Sequence, residues 1–294
     1  MTPRDLPAEV RRARPLLGTL VEIAVRAVVA PEQAIAAAFD AIAQVHARMS
    51  YHERASDISR LNRQADRRPV AVHADTYRVL RAALTLSART GGAFDVSIAP
   101  QLERQGLLPR RRFGSVGGTW RDIELLPGRR VRFRRPMRID LGGIAKGYAV
   151  DRACAVLLAY GVRSALVNAG GDLRVIGSTP WPIAVRHPAD PALRLPLCEL
   201  ADGAIATSAG YFLRLPDHPG GARALVDGRT RALRHWPGSV SVTAATCLTA
   251  DALTKVVGLL GRRATPILVR ERAAACLIAA DGTSRFLAAA SAQS

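Results

Sequence analysis

Apolar residues along this chain fall into two periods. Between Thr19 and Arg26, Val21, Ile23 and Val25 alternate with Leu20, Glu22, Ala24 and Arg26, the period of a half-buried strand. From Pro31 onward, Ile35, Phe39, Ile42, Val45 and Met49 recur at spacings of three and four, which predicts an amphipathic helix with proline at its tolerated first position. The polar stretch Ser50 to Asn62 follows, too rich in functional side chains for a spacer. A second helix is expected from Asp75, as its cap, to about Thr90, with Val79, Ala83 and Leu86 inward and Gly91-Gly92 as the stop. Gln101 to Thr119 reads as an exposed loop, and Asp122 to Leu126 with Arg130 to Phe133 as a hairpin around Pro127-Gly128-Arg129. A strand-like run, Val131 to Ile139, leads into a glycine-rich stretch, and a helical run from Tyr148 to about Tyr160 leaves it. Further strands are predicted at Ser164 to Asn168, Leu173 to Ile176, Trp181 to Arg186, Leu195 to Leu200, Ala222 to Val226 and Ser239 to Ala244. Ile205 to Tyr211 suits a phosphate-facing turn. A helix starts at Thr249, and Ile267 to Leu287 reads as a strand, a small helix and a hairpin around Asp281-Gly282. Polar motifs alternate with core strands and no linker intervenes, so one α+β domain is expected, with residues 1–13 as a flexible arm.

Two stretches carry candidate chemistry. Asp140 to Arg152, DLGGIAKGYAVDR, places glycines at a strand-to-helix junction, where backbone approaches a ligand closely and the first helical N–H groups face an anion. The chemistry suggested is phosphate binding, although neither the Walker A nor the Rossmann spacing is present. In the second stretch, Asp251, Thr254 and Lys255 stand at i, i+3 and i+4 on one helical face. A carboxylate and a hydroxyl aimed the same way suit Mg²⁺; the plainer alternative is a capping acid with an ordinary Asp-Lys pair. His52 has no other histidine at metal-ligand spacing and reads as a packing or stacking residue.

Composition sharpens this picture. Of 42 lysines plus arginines only two are lysine, Lys146 and Lys255, one in each candidate stretch. Lysine offers a compact point charge and arginine a wide fork, so a tight phosphate or metal-proximal site is a reason for both to persist. The net charge of +18 is spread along the chain, and only 5% of residues are aromatic. Without a stacking platform, nucleic-acid binding is not expected. Cys154, Cys198, Cys247 and Cys276 form no C-x-x-C and read as buried or incidental thiols. No apolar run is long enough to span a bilayer and no export signal is evident, so a cytoplasmic protein without a transmembrane segment is expected, with a periplasmic one as the alternative if an export signal is missing or trimmed.

Taken in order, PLLGTLVEI, MSYHERASDISRLNR, GGAFDVSIAP, DLGGIAKGYAVDRA, LVNAGGDLRVIG, IATSAGY and TADALTKV resemble the ApbE-type FAD:protein FMN transferases over nearly the whole chain. The resemblance implies a single α+β domain of mixed sheets and helices with an FAD cleft. The implied activity is Mg²⁺-dependent transfer of FMN from FAD to a threonine or serine hydroxyl of a target flavoprotein, with release of AMP. By position it implies flavin or adenine contacts at Leu17, His52, Ala93, Phe94, Asp95, Asp140, Lys146 and Val226, and a metal held by the Gly143 carbonyl and Asp251. Lys146 and Asp251 are the implied catalytic pair. Thr254 as a third metal ligand and Thr207 beside the pyrophosphate are readings of the residues themselves. Three positions depart from the family pattern. His52 replaces a usual tyrosine, with Tyr51 next to it. The family's H-I-I-D-P-R-T-G reads Ala224-Leu225-Val226-Asp227-Gly228-Arg229-Thr230-Arg231, so its histidine is lost at Ala224. Lys255 stands where a metal-binding threonine is usual. These departures leave FAD hydrolysis to FMN and AMP, or silent FAD binding, as alternatives to transfer.

Overall fold

The computed structural model describes residues 9–26, 30–111, 117–209, 223–236 and 238–288. In chain order the elements are β1 (Glu9–Leu16), β2 (Thr19–Arg26), α1 (Pro31–Met49), α2 (Asp57–Gln64), β3 (Val70–Ala71), α3 (Ala74–Arg89), α4 (Ala99–Arg104), β4 (Ile123–Leu126) and β5 (Arg130–Phe133). Then follow α5 (Ala145–Ala159), β6 (Ala165–Ala169), β7 (Asp172–Ile176), β8 (Trp181–Arg186), β9 (Arg194–Leu200), β10 (Gly203–Ala209), β11 (Arg223–Val226) and β12 (Leu233–Trp236). The chain closes with β13 (Ser239–Ala244), α6 (Cys247–Leu260), α7 (Thr265–Arg270), β14 (Ala274–Ile278) and β15 (Ser284–Leu287).

An eight-stranded antiparallel sheet, ordered β1-β2-β6-β7-β10-β13-β14-β15, is the floor of the molecule. Both of its faces are covered, and the period-two alternation decides which residue goes where. Val21, Ile23, Val25, Val167, Ala204, Ala206 and Val242 join the main core, where α1, α5 and α6 pack. Ala24, Leu166, Leu173, Val175 and Ile205 point the other way, beneath the β8–β9 hairpin and its Trp181. A small sheet, β3-β5-β4, packs with α2 and α3 beside the helical layer. The result is the expected α+β domain.

Several expectations are corrected. Residues from Glu9 onward are not an arm: β1 pairs along its whole length with β2. The 50–62 stretch contains α2, whose Ser56 cap accepts from Ser59 N–H. Its polarity is structural, because Asn62 donates to the Ile139 carbonyl at 2.9 Å and accepts from the Ile139 N–H at 2.8 Å, acting as a surrogate strand for the approach to Asp140. Only Val131 to Phe133 of the run to Ile139 is strand. The supposed 101–119 loop begins inside α4, and residues 112–116 lie outside the described set. Ile205 to Ala209 is an interior strand with β7 and β13 as neighbours, not a turn; Gly210 and Tyr211 lie outside the described residues. In the tail the order is helix, then strands.

The cap of α3 is also reassigned. His73 accepts from the Asp75 N–H, while the Asp75 carboxylate accepts the Tyr148 hydroxyl at 2.6 Å and pairs with Arg48 at 2.9 Å. Burial acts to raise the Asp75 pKa, but the Tyr148 hydrogen bond and the charges of Arg152, His73 and Arg48 together hold it below the ordinary range. A depressed carboxylate contributes stability that is fully present above its unfolded pKa and is lost as pH falls through the folded value. Asp75→Asn is therefore expected to lower the Tm at neutral pH, and the gap from wild type should narrow as melts are taken at more acidic pH. A gap independent of pH would assign the loss to packing alone.

Candidate active site

The turn between β1 and β2 places Leu17 and Gly18 both at positive φ, 57° and 70°. Glycine tolerates this conformation; leucine there is strained, and such strain persists where the surroundings impose it. Leu17 forms one lip of a cleft of about 480 Å³ whose walls include Tyr51, His52, Leu108, Asp140 and Lys146. Four sequence-predicted cofactor residues, Leu17, His52, Asp140 and Lys146, thus meet in one cavity. His52 is exposed, whereas Tyr51 is 3% exposed, with its hydroxyl donating to Glu103 and its ring under Arg111. The ring open to a ligand is the imidazole.

The glycine turn is shaped by Asp140, whose carboxylate accepts from the Gly142 N–H at 2.9 Å. Burial raises the Asp140 pKa, partly offset by the Gly142 N–H, the His52 charge and the Leu141 N–H. Helix α5 starts at Ala145, earlier than its pattern predicts, so Lys146 and Gly147 lie in its first turn. Lys146 pairs with Asp172 at 2.8 Å and reaches the Ala169 carbonyl at 3.5 Å. Asp172 opens β7 directly after Gly170-Gly171 and is only 1% exposed. Thr207, the predicted pyrophosphate neighbour, borders that turn: its N–H donates to the Gly171 carbonyl and its hydroxyl shares a hydrogen bond with Ser241.

Helices α5 and α6 cap each other. Asp251 of α6 accepts the Gly147 N–H at 3.0 Å, while Asp151 of α5 accepts the Cys247 and Leu248 N–H groups at 2.9 Å each. Each carboxylate satisfies amides that the opposite helix start leaves unpaired. Asp151 is in turn held by Arg174 at 2.7 Å. The second lysine, Lys255, donates to the Asp251 carboxylate and to the Asp251 backbone carbonyl at 3.1 Å. Both lysines of the chain are therefore ion-paired to fully buried aspartates, and the four charges interact. Burial acts to raise Asp251, but the charges of Lys255 and Lys146 and the hydrogen bonds from Lys255 and Gly147 hold its pKa low; burial and the neighbouring Asp251 charge push Asp172 up.

Other predicted residues are placed differently. Ala93, Phe94, Asp95 and Val226 gather at a second junction, all buried. There the Gly228 N–H donates to the Ala93 carbonyl, and Asp95 is consumed by protein: Ser97 takes one oxygen, Trp120 N–H and Arg231 the other. Asp95 is thus a local organiser whose side chain has no oxygen left for a cofactor. Phe94 touches the site itself, since a Cβ on Gly143 would lie 3.7 Å from its ring. The backbone of Ala224 lies in β11, but its side chain is outside the described residues.

Of the expected metal ligands Gly143, Asp251 and Thr254, the two side chains are engaged within the protein, which works against a magnesium donor set. One Asp251 oxygen is taken by the Gly147 N–H and the other by an ammonium. The Thr254 hydroxyl donates to its own helix at the Asp251 carbonyl, 2.7 Å, and meets Ser208 at 2.8 Å. Among the described residues no three His, Cys, Asp or Glu side chains converge to hold a metal. Mg²⁺ demands several oxygens in near-octahedral array. A dication ~4 Å from an ammonium is repelled by roughly 2 kcal/mol even at the dielectric of water. Sequence reasoning missed Asp172 and the Glu103–Arg138 pair behind Tyr51; an acid opening an apolar strand straight after Gly-Gly was the available signal for the first.

Among the described residues, no helix is long and apolar enough to cross a membrane. The sequence profile of the ApbE family matches residues 17–278. The chain is 29% identical over 238 residues to the FAD:protein FMN transferase of Vibrio cholerae, spanning 74% of this chain and 70% of the relative. It is 26% identical over 240 residues to that of Haemophilus influenzae, spanning 74% and 69%. Among solved structures, a mutant of flavin transferase ApbE from Vibrio cholerae matches with a TM-score of 0.80 at 25% identity, covering 96% of this chain and 98% of that one. The ApbE protein of Thermotoga maritima matches with a TM-score of 0.77 at 26% identity, covering 96% and 97%. The profile match runs from the cleft lip at Leu17 to the end of β14 and takes in both lysine–aspartate pairs, so the chain belongs to the ApbE family.

Proposed function

We propose that this protein transfers FMN from FAD to a threonine or serine hydroxyl of a target flavoprotein, releasing AMP. The observation that carries the reading is the joining of a flavin-sized cleft, lined by Leu17, His52 and Asp140, to a corner holding both lysines of the chain. The relatives' name supplies the substrate. Flavin packs against Leu17 and the imidazole of His52, and the pyrophosphate lies along Gly142 and Gly143 toward Lys146. The acceptor oxygen then attacks the flavin-side phosphorus, the bond to the bridging oxygen breaks, AMP leaves with that oxygen, and the hydroxyl proton passes to solvent. Such transfer is chiefly orientation and charge stabilisation, which a preorganised corner provides. Mg²⁺, implied by the family resemblance, does not fit the donor set present, and charge at the pyrophosphate is assigned to the lysines.

Intact-mass analysis of an acceptor flavoprotein incubated with FAD and the enzyme tests this reading. A gain of one FMN unit with stoichiometric AMP is the expected result. Free FMN plus AMP without mass gain, or bound FAD left intact, would replace transfer by hydrolysis or by simple binding.

Removing the Lys146 charge gives a second test. Burial and the Asp251 charge already favour the protonated form of Asp172, which eases the loss of its partner in Lys146→Met. A charge-assisted phosphate contact worth about 1.5 to 3 kcal/mol is lost, and FAD affinity should drop by roughly ten- to a hundredfold. Riboflavin, which lacks the pyrophosphate, should bind nearly as before in a fluorescence titration. Equal weakening of the two would contradict the placement.

A further inference from the structure

We propose that Lys255 takes the place of a divalent cation: its ammonium, anchored at Asp251 and lying over Gly143, supplies the positive charge on the FAD pyrophosphate, and cleavage proceeds without metal. The inference rests on the flavin-transfer reading and deepens it. Three independent observations carry it. First, Lys255 stands one turn after Asp251 on the same helix, where the resemblance implies a metal-binding threonine, and its ammonium holds the carboxylate oxygen that such an ion would need. Second, its stem is packed onto the glycine turn: a Cβ on Gly143 would lie 3.9 Å from Lys255 Cε and 4.0 Å from its Cγ. The ammonium is thereby confined beside the backbone that approaches the phosphates, with 20% of the side chain open to solvent. Third, the hydroxyl one residue earlier, Thr254, is turned onto its own helix and Ser208, away from any ion at Asp251.

Charge and shape agree with this assignment. A chain that uses arginine for nearly every cation retains lysine only at Lys146 and Lys255, opposite Asp172 and Asp251. A planar guanidinium has five donors to satisfy, whereas an ammonium is a compact point charge suited to a position between a fully buried carboxylate and a glycine turn. During cleavage, negative charge grows on the leaving AMP phosphate oxygen. The two ammonium groups flank the corner where that charge develops, and each acts as a fixed point charge requiring no ligand exchange.

The test measures AMP release from FAD, with acceptor present, in EDTA and in Mg²⁺, together with FAD-dependent Mn²⁺ binding by electron paramagnetic resonance. Wild type should release AMP at the same rate in EDTA and Mg²⁺ and bind no Mn²⁺ with FAD. Lys255→Thr should lose about a hundredfold in EDTA, regain part of it in Mg²⁺, and acquire FAD-dependent Mn²⁺ binding. Lys255→Gln, which keeps the side-chain length, should lose activity in EDTA similarly, separating charge from packing. Wild-type activity abolished by EDTA and restored by Mg²⁺ would overturn the proposal. If no variant releases AMP under any condition, the transferase reading fails, and the Mn²⁺ measurement still decides: FAD-dependent uptake by wild type refutes the replacement, and uptake confined to Lys255→Thr upholds it.

Discussion

Gly147→Ala is expected to destabilise this protein more than any other single methyl addition in α5. A Cβ at this position would lie 2.2 Å from the Cys247 carbonyl oxygen, 2.6 Å from its carbon and 2.8 Å from the Asp251 Cβ. The first two are backbone atoms at the start of α6, so no side chain can rotate away. Alanine favours a helix interior over glycine by about 1 kcal/mol, but overpacking against fixed backbone costs about 3 kcal/mol or more, so the clash wins. Either α5 and α6 separate or both first turns distort, and the Asp251 and Asp151 caps are lost with them. A net loss of about 2 kcal/mol or more at this chain length should lower the Tm by roughly 3 °C or more. Gly161→Ala is the control: nothing lies within 4 Å of its added methyl, and only its φ of +81° is penalised, costing about 1 kcal/mol. Equal melting of the two variants would mean that the helix pair yields at this contact.

Arg138→Met has an expected effect of similar size for an electrostatic reason. Arg138 and Glu103 form a two-pronged pair at 3.0 and 2.9 Å, with side-chain exposures of 5% and 6%. Breaking a buried pair by removing one member costs about 3 to 5 kcal/mol, because an uncompensated charge remains, whereas replacing both with apolar residues is often neutral. Glu103→Leu added to Arg138→Met should therefore recover most of the loss in a urea titration. Recovery should fall short by about 1 kcal/mol, since the Tyr51 hydroxyl then lacks its acceptor. Losses that simply add would show that the two residues act independently.

The sheet was legible in the sequence because alternation maps directly onto its two covered faces. β2, β8 and β13 have the boundaries that their patterns predict. Legibility failed where polar side chains do backbone work. Ser56, Asp57 and Asn62 made the 50–62 stretch look like a functional loop, yet they cap α2, hold the start of α3 and pair with Ile139. β10 was misread for the same reason: the hydroxyls of Thr207 and Ser208 looked like phosphate donors, but they bond laterally to Ser241 and Thr254. Within the site, the two lysines were readable from their scarcity, and the i,i+4 spacing of Asp251 and Lys255 held. Their partners across the fold were not, because the Lys146–Asp172 and Gly147–Asp251 contacts join residues distant in sequence.

On this reading one continuous site runs from the Leu17–His52 cleft to the Lys146–Lys255 corner. A crystal structure with FAD bound tests it most directly. The isoalloxazine ring is expected against Leu17 and His52, with the pyrophosphate along Gly142 and Gly143 within reach of both ammonium groups. A flavin seated elsewhere, such as the groove between α3 and α6 lined by Arg78, Arg81 and Arg89, would contradict it.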